Sequence, residues 1–355
     1  MKKLLLASVA LGAAMAQPGL VQALSVSVLW DASRDTGADW LAHVEAGLSL
    51  SLGADTTITL TDHLSYDGAE GFTEALASAS AAADVVVTDF VPATDALAPA
   101  ADADRPLLIN LAPGNAKSCH EQTIHLAGDV ALGRLAAIYM NGIKSQRTFA
   151  FVKDDDEGKK RLGDFRRAFT GGLGGAAFAK PDQTDFRNEV AILKVTQADG
   201  AYFDLEGQPL YDYLEAAASG NMTEAVNAVT TSDIDYDRLS EETRSALAAM
   251  TLVSAWNPDT VDAQPFKEAF RDAMGEDPAF SALMGYEAGL VLSLALDGPS
   301  DNLFSNVIST AWQSPRGPVS FDEHGYAIVP VGAYKFTETA LSLKGRIAVP
   351  TDHDC

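Results

Sequence analysis

The sequence predicts an α/β protein built of two doubly wound lobes, and three observations carry that expectation. Short β-rich runs alternate with helical stretches, the pattern of βαβ units and parallel sheets. The length, 355 residues, exceeds one ordinary domain of about 100–200 residues. Hydrophobic residues make up 47% and charged residues 21% of the chain, which is enough apolar material for packed cores. A single open sheet holding every strand would be oversized, so two lobes are the economical arrangement.

The elements follow in order. Residues 25–30 (S-V-S-V-L-W) read as a strand ending at the polar turn 31–37. Trp40, Leu41, Val44 and Leu48 then recur at helical spacing. Residues 57–61, 85–87, 107–110 and 149–152 are further strands, and 72–83, 128–141 and 159–170 are helices between them. In the second half, 176–179, 201–203, 228–230 and 252–255 read as strands, with helices near 185–195, 210–218 and 239–250. Gly171, Gly172, Gly174 and Gly175 are expected in a loop ahead of a strand.

The first 23 residues have the layout of a secretory leader. Lys2 and Lys3 precede an apolar run, and Val21-Gln22-Ala23 is a small-x-small cleavage ending. The run is shorter than the roughly 20 apolar residues of a membrane span, and no later stretch is expected to span a bilayer. Cleavage after Ala23 removes two cations and takes the net charge from −24 to −26. That field repels nucleic acid and anionic membrane surfaces. The two cysteines, Cys119 and the terminal Cys355, read as one disulfide in an exported protein. His120 and His353 stand beside them, but a zinc site normally shows tighter ligand pairs.

Catalytic signatures are missing. The sequence has no G-x-S-x-G elbow, no H-E-x-x-H helix and no phosphate-binding G-x-x-x-x-G-K-[ST] loop. Asp233-x-Asp235-x-Asp237 opens like a calcium loop, but Arg238 and Arg244 occupy the positions that need Gly and Glu. No metal and no cofactor is expected. In doubly wound sheets a ligand sits beyond the carboxyl ends of the strands. That rule selects the loops at 31–37, 88–94, 111–115, 153–157, 204–207, 231–235 and 256–259. Their chemistry-bearing residues include Trp30, Asp31, Asp89, Phe90, Asp154, Glu157, Asp204, Glu206, Asp233 and Trp256. Carboxylates outnumber the cations Arg34 and Lys153 in these loops, so a zwitterion or cation fits better than a polyanion.

Four segments in this order resemble the type I periplasmic solute-binding proteins of ABC transporters, in the branch that holds branched-chain amino acids. They are R-P-L-L-I-N-L-A at 105–112, T-D-F at 184–186, G-Y-E-A-G at 285–289, and G-P-V-S-F-D-E-H-G at 317–325. The resemblance implies Rossmann-like lobes joined by a three-strand hinge. It implies lobe one from 24–126 and 250–317, lobe two from 127–249 and 318–336, and a tail at 337–355. By the same resemblance Thr94, Ala112 and Gly114 stand where such proteins hold a ligand carboxylate, and the residue that pairs with its amino group falls near Ser232 or Asp233, where Asp233 can serve. The stretch between the first two strands is compressed here to 47–55, and Pro113 and Gly114 replace the usual hydroxyl neighbours.

The resemblance therefore implies a non-enzymatic, monomeric periplasmic carrier. It would close on a small polar solute, such as an amino acid, amide or amine, and deliver it to the membrane subunits of an ABC permease. The cysteine arrangement also resembles a divergent branch found beside quinoprotein alcohol dehydrogenase systems. A ligand- or metal-sensing module is the alternative, and a secreted hydrolase is the remaining rival.

Overall fold

Runs of β-branched and aromatic residues set the strands, and helices of helical apolar period pack across them. The computed structural model describes residues 24–33, 37–52, 58–60, 64–89, 106–112, 122–128, 131–220, 226–232, 234, 238–248, 250–298, 302–337 and 341–349. Cys119, Cys355, the leader at 1–23, Phe90, Thr94, Gly114 and Asp233 lie outside the described residues.

The first sheet is formed by β1 (Leu24–Asp31), β2 (Ile58–Leu60), β3 (Leu64–Tyr66), β4 (Val85–Thr88), β5 (Leu107–Asn110) and β6 (Thr123–His125). Its order is β2-β1-β4-β5-β6, with β3 continuing the β2 edge along β1, and every pairing is parallel. Helix α1 (Gly37–Leu52) lies on one face and α2 (Gly68–Ala82) packs against β1, β3 and β4.

The second sheet begins with β7 (Arg147–Lys153), β8 (Gly172–Ala179), β9 (Gly200–Asp204), β10 (Asn227–Thr230) and β11 (Thr251–Ser254). It is wound with α3 (Leu132–Gly142), α4 (Asp156–Ala168), α5 (Arg187–Val195), α6 (Gly207–Ser219) and α7 (Glu241–Ala246). The chain then returns to the first lobe through α8 (Gln264–Met274), α9 (Phe280–Asp297) and α10 (Leu303–Ile308). A small antiparallel sheet follows, made of β12 (Trp312–Ser314), β13 (Gly317–Phe321) and β14 (Ala327–Ile328). Finally β15 (Val331–Phe336) and β16 (Leu341–Ile347) complete the second sheet, in the order β16-β15-β11-β10-β9-β7-β8.

Strand pairing assigns the segments near the expected lobe boundaries. β11 pairs in parallel with β10 and antiparallel with β15, so residues 251–254 belong to the second sheet. β13 and β14 lie beside the first sheet, where Tyr326 bridges His125 at the edge of β6. The tail contributes β16, which pairs antiparallel with β15. The glycine-rich run 172–175 is not a loop; it forms the first half of the edge strand β8. The ladder shifts register beside it, and a Cβ on Gly175 would lie 2.8 Å from the Phe149 ring, so a bare backbone lets that strand pair.

Helix α9 corrects another expectation. Among the described residues it is the one helix long and apolar enough to cross a membrane, yet 56% of that stretch is buried in the protein. Its apolar surface is spent on α1. Added Cβ atoms would fall 2.1 Å from Ala282 O at Gly47 and 2.2 Å from Val44 O at Gly285. These glycines let the two backbones touch.

At the far end of the second sheet, Asp199 ties two strands together. Its carboxylate accepts hydrogen bonds from Ser145 Oγ at 2.7 Å, Gln146 N at 2.8 Å and Arg147 N at 2.9 Å. Burial pushes its pKa up, but these donors outweigh burial and hold it below the usual carboxylate range. Such a group stabilises the fold above its unfolded pKa of about 3.9, and the contribution disappears as pH falls through the lower folded value. Asp199→Asn is therefore expected to cost about 1–2 kcal/mol at pH 7. It should also narrow the difference between urea midpoints at pH 7 and pH 3.

Candidate functional site

The carboxyl ends of β4 and β5 in the first sheet and of β9, β10 and β11 in the second open onto one cleft. Two cavities of about 430 Å³ and 470 Å³ share Glu157 and Phe280, within the usual range of small-molecule sites. One wall comes from the first lobe. Asp89 follows β4, Leu111 and Ala112 follow β5, and Phe280, Ser281 and Met284 open α9. Trp256, just past β11, and Leu132, at the start of α3, add apolar surface.

The second lobe supplies the polar wall. Helix α4 starts directly after β7 because Asp155 caps it, its carboxylate accepting from Gly158 N at 2.7 Å. The close turn needs Gly158, where a Cβ would lie 2.3 Å from Lys153 O. Glu157, Lys160, Arg161 and Asp164 then fall at i, i+3, i+4 and i+7, so one face of α4 meets the cavity. Glu206 comes after β9, and Thr231 and Ser232 after β10.

Arg161 organises this wall. Its Nη1 donates to Asp204 Oδ1 at 2.6 Å and its Nη2 to Glu157. The Asp204 side chain is only 1% exposed. Thr231 Oγ1 also donates to Asp204 Oδ1, at 2.9 Å, while Oδ2 has no partner among the described residues. Burial pushes the Asp204 pKa up, and the Arg161 charge and the Thr231 bond offset only part of that. Burial also acts on Glu157, but there Arg161 and Lys153 prevail and hold it below the usual range. Lys153 reaches Glu206 at 2.9 Å, Asp155 at 3.3 Å and Glu157 at 3.4 Å. The cations Lys153 and Arg161 are thus shared among carboxylates, whereas Lys160 pairs with none among the described residues.

The sequence-selected residues divide into three groups. Asp89, Ala112, Glu157, Glu206 and Trp256 line the cleft. Asp204 lies buried behind its wall. Trp30, Asp31 and Asp154 stand outside the lining. The end of β1 is closed by the chain itself, since a Cβ on Gly37 would lie 2.4 Å from Asp31 O and 3.1 Å from the Trp30 ring. Asp31 turns back to accept from Ser33 N at 3.0 Å and Ser33 Oγ at 2.6 Å. Asp154 faces outward and pairs with Lys159 at 3.3 Å. Sequence reasoning missed Phe280, Ser281 and Met284, because they start a helix rather than follow a strand. It also missed Arg161, although the charged face of its helix was visible in the spacing.

An apolar wall facing a polar one at the mouth of two sheets defines a two-lobe receptor for small molecules. The fold recurs in a solute-binding protein of an ABC transporter from R. palustris in complex with benzoate. The two are 17% identical over 94% of this chain and 99% of that one, with a TM-score of 0.65. It recurs in a leucine-binding protein from Thermotoga maritima MSB8, 16% identical over 92% and 99%, with a TM-score of 0.61. A branched-chain amino-acid ABC transporter periplasmic ligand-binding protein from Burkholderia xenovorans LB400 is 14% identical over 92% and 95%, with a TM-score of 0.68. No curated protein matches the chain by sequence. The periplasmic binding protein family model matches residues 34–336, and the chain belongs to that family. Its members bind solutes and are not enzymes.

Proposed function

We propose that the chain is the periplasmic solute receptor of an ABC importer, closing its lobes around one small molecule and presenting it to a membrane permease. The observation that carries this reading is a cleft lined from both lobes, by Trp256 and Phe280 and by Glu157, Arg161, Glu206 and Ser232. On this reading residues 1–23 are removed on export and the mature chain works as a monomer. The solute has an apolar body for the aromatic wall and polar ends for the other. Because Arg161 is already held by two carboxylates, an amino acid or amine-like solute suits the cleft.

An aromatic carboxylate is the second reading. It draws on the two rings and on Lys160, and four of the structural neighbours hold benzoate, 3,4-dihydroxybenzoate or 4-hydroxybenzoate. A thermal-shift screen of amino acids, amines, amides and benzoates decides between them. A true solute at a hundredfold excess over its Kd adds about 2.7 kcal/mol of stability. Trp256→Ala is expected to weaken that solute at least tenfold, and to lower the ligand-free melting temperature as well because the ring packs on Phe266. A chain indifferent to every class in the screen would overturn the receptor reading.

A further inference from the structure

We propose that the buried Glu287–Arg316 pair is the fixed anchor of the hinge, fastening two of the three interlobe crossings to the first lobe. The second lobe then swings where the chain leaves this anchor, past Gly128 and past Ile328. This regulation rests on the reading that the lobes close on a solute.

The side chains are 0% and 1% exposed, and neither lines the cleft. Arg316, at the turn between β12 and β13, meets Glu287 of α9 as a fork, Nε to Oε1 at 2.7 Å and Nη2 to Oε2 at 2.5 Å. Ser314 Oγ donates to the same carboxylate. Arg316 Nη2 also donates to Leu126 O at 2.7 Å, and Leu126 is the last residue before the first crossing. That crossing is held against the third. His125 N donates to Gly325 O at 2.8 Å, and the His125 and Tyr326 rings stack at 4.2 Å. Gly128, with φ +73°, lies where a Cβ would come within 2.5 Å of Ala327 O. The second crossing lacks this anchor. Ser254 Oγ accepts from Trp256 N at 3.1 Å and donates to Trp256 O at 2.6 Å, so its polar contacts are local.

Stability alone does not explain the pair. Replacing a buried ion pair with apolar groups of similar volume is often neutral or stabilising, and Arg316 Nη1 has no partner among the described residues. A bidentate fork does fix orientation, and orientation is what a pivot requires.

Hydrogen exchange on the full ligand-free chain tests the anchor without needing a solute. In the double variant Glu287→Met/Arg316→Met, amides at 126–128, 326–329 and 331 are expected to exchange at least tenfold faster than in wild type, with the sheet interiors unchanged. Arg316→Lys, which keeps the charge and loses the fork, should give a smaller local increase and serves if the double variant does not fold. Wild-type rates at the crossings in a folded variant, or an even rise over both sheets, would overturn the anchor. Either result leaves the receptor reading standing, because that reading depends on the solute screen.

Discussion

Arg161→Met should lower the unfolding free energy by about 3–5 kcal/mol, the cost of leaving a buried charge without its partner. The stranded group is Asp204, which would keep only the Thr231 hydroxyl as a donor. Urea denaturation at pH 7 measures the loss. Adding Asp204→Asn to Arg161→Met should recover much of it, because a neutral amide needs no counter-charge. The deficit should also shrink as pH falls. The Asp204 pKa is already raised by burial, and without Arg161 it rises further, so a proton replaces the missing cation. A deficit that stays constant from pH 7 to pH 5 would show that Arg161 acts by packing its stem rather than by neutralising Asp204.

The second large effect comes from one methyl group. Gly285→Ala places a Cβ about 2.2 Å from Val44 O and 2.8 Å from Val44 C, and backbone cannot move aside as a flexible side chain can. Overpacking of this kind costs about 1–3 kcal/mol, and α1 and α9 must separate to relieve it. Gly142→Ala is the control, because nothing lies within 4 Å of its new methyl. It is expected to be neutral or stabilising by up to about 1 kcal/mol. Equal destabilisation in the two variants would mean that backbone entropy, not contact, governs Gly285.

Much of the architecture was legible in the sequence. Residues 107–110 and 85–87 read as strands because buried parallel strands are short, continuously apolar runs, and all of β4 and β5 is buried. The hairpin motif at 317–325 appears as β13, a turn at Gly325 and β14. What escaped reading was set by distant pairing. β3 and β6 have three residues each, too few for any periodicity to register. Which sheet accepts β11 is decided by β10 and β15 rather than by residues 251–254.

The site was half legible for the same reason. Strand-end position selected Asp89, Ala112, Glu157, Glu206 and Trp256, because the sheet places such residues mechanically. It also selected Trp30 and Asp31, since a strand gives no sign that Gly37 will close over its end. Phe280 escaped because α9 reaches the cleft by lying across α1, a contact between segments more than 200 residues apart in sequence.

That contact has a consequence for the nascent polypeptide. α1 emerges early, but most of the surface it packs on arrives with α9, after β7 to β11 of the second lobe have been made. A ribosome or translocon delivering the chain in order must therefore release an amino-terminal half whose greasy seam stays bare. The second lobe, still lacking β15 and β16, can collapse ahead of it. Holdase chaperones would find their grip on α1, and a fragment ending before residue 280 is expected to precipitate where the full chain stays in solution.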